Sequence, residues 1–109
     1  MVYVIQIKIK QSWNDAEILI EGHAGYAEKG KDIVCAAISV LYQNLVNSID
    51  QLSDSVIHDF SADGYARVYI GGLYEYSRAL VDSFKLGCKT MEMTYPDNVE
   101  VHDVQTRLE

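Results

Sequence analysis

Gly22-His23-Ala24-Gly25-Tyr26-Ala27-Glu28-Lys29-Gly30-Lys31-Asp32-Ile33-Val34-Cys35-Ala36-Ala37 changes its periodicity in the middle, and that change decides the fold. Upstream of it the pattern has period two. Residues 2–10 alternate, with Ile5, Ile7 and Ile9 on one face and Gln6, Lys8 and Lys10 on the other, which predicts a half-buried strand. Ser12-Trp13-Asn14-Asp15 reads as a turn, and Ala16 to Glu21 as the returning strand with Ile18 and Ile20 inward. Downstream of Asp32, a good N-cap, Val34, Ile38, Leu41, Leu45, Ile49 and Leu52 recur at helical spacing, predicting a helix over 33–52. The two halves of the pattern then repeat. Val56 to Phe60, an Asp63-Gly64 turn and Tyr65 to Ile70 give a second hairpin closed by Gly71-Gly72. A second helix over 74–93 carries Tyr76, Leu80, Phe84, Cys88 and Met91 as its apolar stripe, and Val99-Glu100-Val101 after Pro96 reads as a short last strand. The order β-β-α-β-β-α-β with amphipathic helices implies an α+β fold, a small two-layer α/β sandwich in one domain spanning 1–109.

The bulk numbers narrow the function classes. At 109 residues and 49% apolar content the chain can bury a core without metals or disulfides. Sixteen acidic against nine basic residues give a net charge of −7, and the nine cations are scattered, which disfavours direct nucleic-acid binding. The same field suits a basic polypeptide partner, or serves only solubility. No apolar run long enough to span a bilayer and no leader segment is read in the chain, so a cytoplasmic location without membrane contact is expected. In that compartment Cys35 and Cys88 are expected as free thiols. No CxxC pair exists and the three histidines are dispersed, so no metal site and no cofactor is expected.

His23 at a strand end and Cys35 in the first turn of a helix can form a nucleophile with its general base. A thiol attacks as the thiolate, and a helix N-terminus beside an imidazole favours that form. The first-turn amides could also donate to the oxyanion of a tetrahedral intermediate. Asp32 has two readings: a cap only, or a third member that orients His23; in either its charge opposes thiolate formation. Ser39, one turn beyond Cys35, either lines the site or bonds back to a helix carbonyl. Gly22, Gly25 and Gly30 fit a mobile lid or an ordinary turn-rich connection. Tyr26 either meets an aromatic substrate side chain or covers the core. A buried free cysteine is often just a small hydrophobe, as Cys88 on the apolar stripe of the second helix illustrates, and the loop and helix start would equally serve a non-catalytic peptide-binding module. His58 and His102 have no partner constellation and read as structural or surface histidines.

Gly22-His23-Ala24, Tyr26-Ala27, Gly30, Asp32, Val34-Cys35-Ala36-Ala37 and Ser39 resemble the signature of the ribosomal-processing cysteine protease Prp family. Gly87 and Tyr95-Pro96 extend the likeness over nearly the whole chain, while residues 53–74 carry no recognisable signature. The resemblance implies a cysteine endopeptidase with Cys35 as nucleophile and His23 as general base, the intervening loop gating substrate entry, and a homodimer. It implies as substrate a basic large-subunit ribosomal protein whose N-terminal extension is removed after an aromatic pair. Phage or prophage relatives that process capsid or scaffold proteins are the alternative within the same resemblance.

Overall fold

The computed structural model describes residues 4–28 and 31–105. Its elements are β1 (Ile5–Gln11), β2 (Asp15–Glu21), α1 (Ile33–Leu52), β3 (Val56–Ala62), β4 (Tyr65–Gly71), α2 (Glu75–Thr94) and β5 (Val99–Gln105). The expected α+β order is the observed one. All five strands form one sheet in the order β3-β4-β2-β1-β5, antiparallel throughout except for the parallel β1–β5 pair.

The β1–β2 register places Ile7 opposite Ile20 and Ile9 opposite Ile18, so the period-two pattern delivers all four isoleucines to one face. The turn between the strands is held by Ser12. Its Oγ donates to Asp15 Oδ1 at 2.7 Å and accepts from the Asn14 and Asp15 amides. The buried face continues through Ala16, Val68, Ile70 and Val99, and both helices lie on it. Val34, Ile38, Tyr42, Leu45 and Ile49 of α1 and Val81, Phe84 and Cys88 of α2 close the core. Among the described residues the opposite face of the sheet has no second layer. It carries the Lys8–Glu21 and Arg67–Glu17 ion pairs, the Tyr69 hydroxyl against Asp15, and His58 stacked on Tyr69.

Several details differ from the sequence expectation. The first strand begins at Ile5 and runs to Gln11, and residues 2 and 3 of the expected strand lie outside the described residues. The last strand runs on to Gln105, because β1 offers it a parallel partner along its whole length. In α1, Tyr42 is buried and Leu52 is 64% exposed. Burying Tyr42 is feasible because its hydroxyl donates to the Arg67 carbonyl at 2.9 Å. In α2 the buried stripe is Ser77, Val81, Phe84, Lys85 and Cys88, while Tyr76 is 72% exposed. Two polar side chains hold that rotation: Ser77 Oγ accepts from the Tyr74 amide at 2.8 Å, and the Lys85 ammonium reaches Asp103 on β5 at 3.3 Å. The expectation that nothing in the chain could span a bilayer also needs correction. By length and composition alone α1 is long and apolar enough, although here its apolar stripe is seated on the sheet.

Candidate active site

The end of β2, the start of α1 and the β3–β4 turn converge at one end of the sheet. Gly22, directly after β2, has φ +100°, and a Cβ there would meet the Val4 carbonyl oxygen at 2.5 Å. Its amide donates to the Gly64 carbonyl at 2.9 Å, which ties the end of β2 to the neighbouring hairpin. His23 follows, and its ring stands over Gly64, with Nε2 only 2.7 Å from where a Gly64 Cβ would lie. Gly64 therefore serves twice, adopting φ +71° in the turn and leaving room for the imidazole.

Ala24 is fully buried and pinned on both sides. Its amide donates to Cys35 Sγ at 3.4 Å, and its carbonyl accepts from Asn98 Nδ2 at 2.8 Å. The chain next to His23 is thereby held against the first turn of α1. Cys35, the third residue of that helix, is half-buried.

Asp32 is the N-cap. Its Oδ1 accepts from the Val34 and Cys35 amides at 3.0 Å each, and its Oδ2 accepts from the Tyr26 amide at 3.0 Å, so it both caps α1 and tethers the loop. Burial works to raise its carboxyl, but hydrogen bonds from the Cys35, Tyr26 and Ala27 backbone outweigh that and hold it below the ordinary carboxylate range.

The same arrangement determines the resting state of the thiol. Burial, with the charges of Asp32 and Asp63 and a hydrogen bond to Asp32 adding, pushes Cys35 above its ordinary value, and the Ala24 amide works against this. The helix start was expected to favour the thiolate. It does not here, because Asp32 already occupies the Val34 and Cys35 amides and places its own negative charge beside the sulfur.

Gly22, His23, Cys35 and Ser39 line a single cavity of about 420 Å³, open along α1 and the β3–β4 hairpin. Gly25, Tyr26 and Asp32 do not line it. Gly25 is exposed with φ +63°, Tyr26 packs edge-on against Tyr95 at 5.4 Å, and Gly30 lies outside the described residues. Sequence reasoning missed Tyr42, Gln43, Asn47, Asp59, Asp63 and Gly64 on the cavity wall, and Asn98 behind Ala24. The Asp63-Gly64 turn was visible, but nothing local said that it would fold back onto His23. Burial, with the Asp59 charge adding, pushes the Tyr42 phenol up to about 12. Cys88 is fully buried, and burial pushes its thiol up to about 12. His58 and His102 lie on strands away from the cavity, His102 against Glu100 at 2.7 Å. Among the described residues no three His, Cys, Asp or Glu side chains are grouped as a metal site requires.

Comparison with known proteins places this geometry in a family. The family model for cysteine protease Prp matches residues 4–100. The ribosomal processing cysteine protease Prp of Bacillus subtilis is 26% identical over 107 residues, covering 90% of this chain and 96% of that one. That of Mycoplasma genitalium is 56% identical over 36 residues, covering 33% of this chain and 32% of that one. Among solved structures, the essential ribosomal processing protease Prp from S. aureus with a covalently linked product peptide superposes with a TM-score of 0.80 at 22% identity, over 94% of this chain and all of that one. SMU.848 from Streptococcus mutans superposes with a TM-score of 0.74 at 29% identity, over 94% and 96% of the two chains. With its sandwich, its cavity and its match over residues 4–100, the chain belongs to the cysteine protease Prp family and is a cysteine-type endopeptidase.

Proposed function

We propose that this endopeptidase removes the N-terminal extension of a large-subunit ribosomal protein during ribosome maturation, with Cys35 as nucleophile and His23 as general base. The observation that carries the reading is the convergence of His23 and Cys35 on one cavity large enough for a peptide segment. The ribosomal substrate is carried over from the relatives, which are ribosomal processing proteases, and fits a chain with a net charge of −7 acting on a basic protein.

Because burial and the neighbouring carboxylates push the Cys35 thiol upward, away from the thiolate, the reaction calls for a base. His23 takes the Cys35 proton, the sulfur attacks the scissile carbonyl, and the imidazolium returns the proton to the leaving amine. Water then attacks the thioester, His23 accepts its proton, and the acid product leaves with the thiol restored. The Ala24 amide, already aimed at Sγ, steadies the sulfur when it is anionic. Ser39, on the cavity wall one turn along α1, contacts the bound peptide.

The enzyme works as a homodimer in the cytoplasm. Support for the dimer comes from the outward faces of the helices. In α1 no residue before Asp50 is charged, and α2 presents one exposed stripe, Tyr76, Ala79, Ser83, Leu86, Thr90 and Met93, that carries no charge and follows a 3-4 spacing, flanked by the exposed Asp82 and Lys89. Run antiparallel against a second copy, that stripe pairs Tyr76 with Met93 and Ser83 with Leu86. Two thiols outside any disulfide suit the cytoplasm.

The test is to incubate the purified protein, and its Cys35→Ser variant, with the N-terminally extended ribosomal protein of the same organism and weigh the products. One cut that removes the extension, made by the wild type alone, is the expected result. An intact ribosomal protein would contradict the proposal.

A further inference from the structure

Two walls bound the cavity beyond Cys35. One is α1, through Ser39, Gln43 and Asn47. The other is β3 and its turn, through Asp59, Ser61 and Asp63. On β3, Asp59 and Ser61 share a face with the half-buried Ile57, so they alternate toward α1 and not toward the open face of the sheet. The floor between the walls is apolar, made by Ile5, Ile20, Ile38 and Val46.

Among the described residues no lysine or arginine lines this groove, and its acidic side chains are Asp59 and Asp63. Cations of the neighbouring strands are kept elsewhere: Lys8 and Arg67 sit on the opposite face of the sheet, each against a glutamate. Asp59 is an exposed strand residue and makes no ion pair among the described residues.

The two aspartates stand at different distances from the reacting sulfur. Asp63 precedes Gly64, beneath His23, and its charge is felt at Cys35. Asp59 lies three residues back from Ala62, where β3 ends, about 10 Å at strand rise. Its charge is felt at Tyr42, seven residues beyond Cys35 on α1 and about 10 Å along the helix axis. Both routes give the same offset, three to four residues of an extended peptide at about 3.3 Å each.

We propose that the groove between α1 and β3 holds the substrate in extended form, and that Asp59 selects a lysine or arginine side chain three to four residues from the scissile bond. This rests on the endopeptidase reading of Cys35 for the position of the bond, and adds to it the chemistry of a remote subsite. A carboxylate at the rim of a partly apolar groove pairs with the head of a long cationic side chain while its methylenes cover the floor. The subsite refuses acidic side chains by like-charge repulsion, which gives it discrimination in both directions.

Binding and cutting are read separately. A peptide library randomised over eight positions is passed over immobilised Cys35→Ala protein, and the wild-type enzyme then locates the cut in the retained peptides by product mass. Lysine and arginine are expected to be enriched about tenfold over glutamate at one position, three or four residues from the cut. In Cys35→Ala/Asp59→Asn the enrichment is expected to vanish, and in Cys35→Ala/Asp59→Lys to reverse toward acidic residues, with circular dichroism confirming that each variant is folded. Should the lysine variant fail to fold, the near-isosteric asparagine variant decides. Absence of cationic enrichment, or enrichment that survives both Asp59 changes, overturns the proposal. So does a cationic preference confined to residues adjoining the cut and removed by Asp63→Asn alone. Peptides retained in an Asp59-dependent way but never cut by the wild type would leave the Asp59 preference standing and count against the protease reading.

Discussion

Burial, with the charges of Asp32 and Asp63 adding, pushes the Cys35 thiol above its ordinary value, and Ala24 opposes them through a single amide. Removing one of the two charges therefore lowers the thiol's pKa. Asp63→Asn is expected to speed alkylation of Cys35 by iodoacetamide at pH 7 several-fold, with the rate-versus-pH curve shifted to lower pH; an unchanged curve would mean that Asp63 is screened from the sulfur. In the same experiment native protein should take one adduct. Cys88, fully buried and with its thiol pushed up to about 12, should react only after unfolding. Gly64→Ala tests the placement of His23. A Cβ 2.7 Å from Nε2, on a backbone at φ +71°, displaces the imidazole, so cleavage should fall at least tenfold while Cys35 alkylation at pH 9 changes little. Local sequence showed Gly22, His23, Cys35 and Ser39 because each lies within a few residues of the strand end or the helix cap. Gly64, Asp59 and Asn98 were illegible as site residues. They arrive through strand pairing and through the α2–β5 connection, and their own neighbours carry no mark of it.

Among the elements, α1 was readable to the residue because Asp32 supplies a cap that satisfies two first-turn amides at once. Asp32→Ala should cost about 1 kcal/mol by denaturant unfolding. The carboxyl's folded value lies below its unfolded one, so the contribution is present above the unfolded carboxylate range and is lost as pH falls through the folded value, below about pH 4. Wild type and variant should thus converge in stability in acid and differ at pH 7. The hairpins were equally legible, since their alternation and turn residues are local. The span of α2 was legible too, with Phe84 and Cys88 of its expected stripe buried, but its full buried face was not, because that face includes Ser77 and Lys85, which apolar patterning assigns to solvent. Lys85 is only 6% exposed, and its ammonium meets Asp103, which also reaches Lys89 at 3.5 Å. Asp103→Ala leaves that ammonium without its carboxylate and should cost about 2–3 kcal/mol, whereas Lys89→Ala, at a half-exposed side chain, should cost under about 1 kcal/mol.

On the scale of the whole molecule, the sandwich buries one face of the sheet and leaves the other polar, while α1 carries no charge before Asp50 and α2 presents one exposed uncharged stripe from Tyr76 to Met93. A dimer formed through the helices should be split by Leu86→Glu, which sedimentation velocity would read as a halved mass with unchanged helix content; a wild type that sediments as a monomer would remove that part of the account. The central claim is that one cavity, built by the end of β2, the start of α1 and the β3–β4 turn, cuts peptide bonds with Cys35 and His23. The most direct measurement is the single-turnover cleavage rate of the wild type, Cys35→Ala and His23→Ala on one extended ribosomal protein, with the unfolding midpoint of each. The account predicts no detectable cleavage by Cys35→Ala and a loss of about 10²–10⁴-fold in His23→Ala, at midpoints close to that of the wild type. A folded Cys35→Ala protein that still cleaves, or a His23→Ala protein as fast as the wild type, would contradict it.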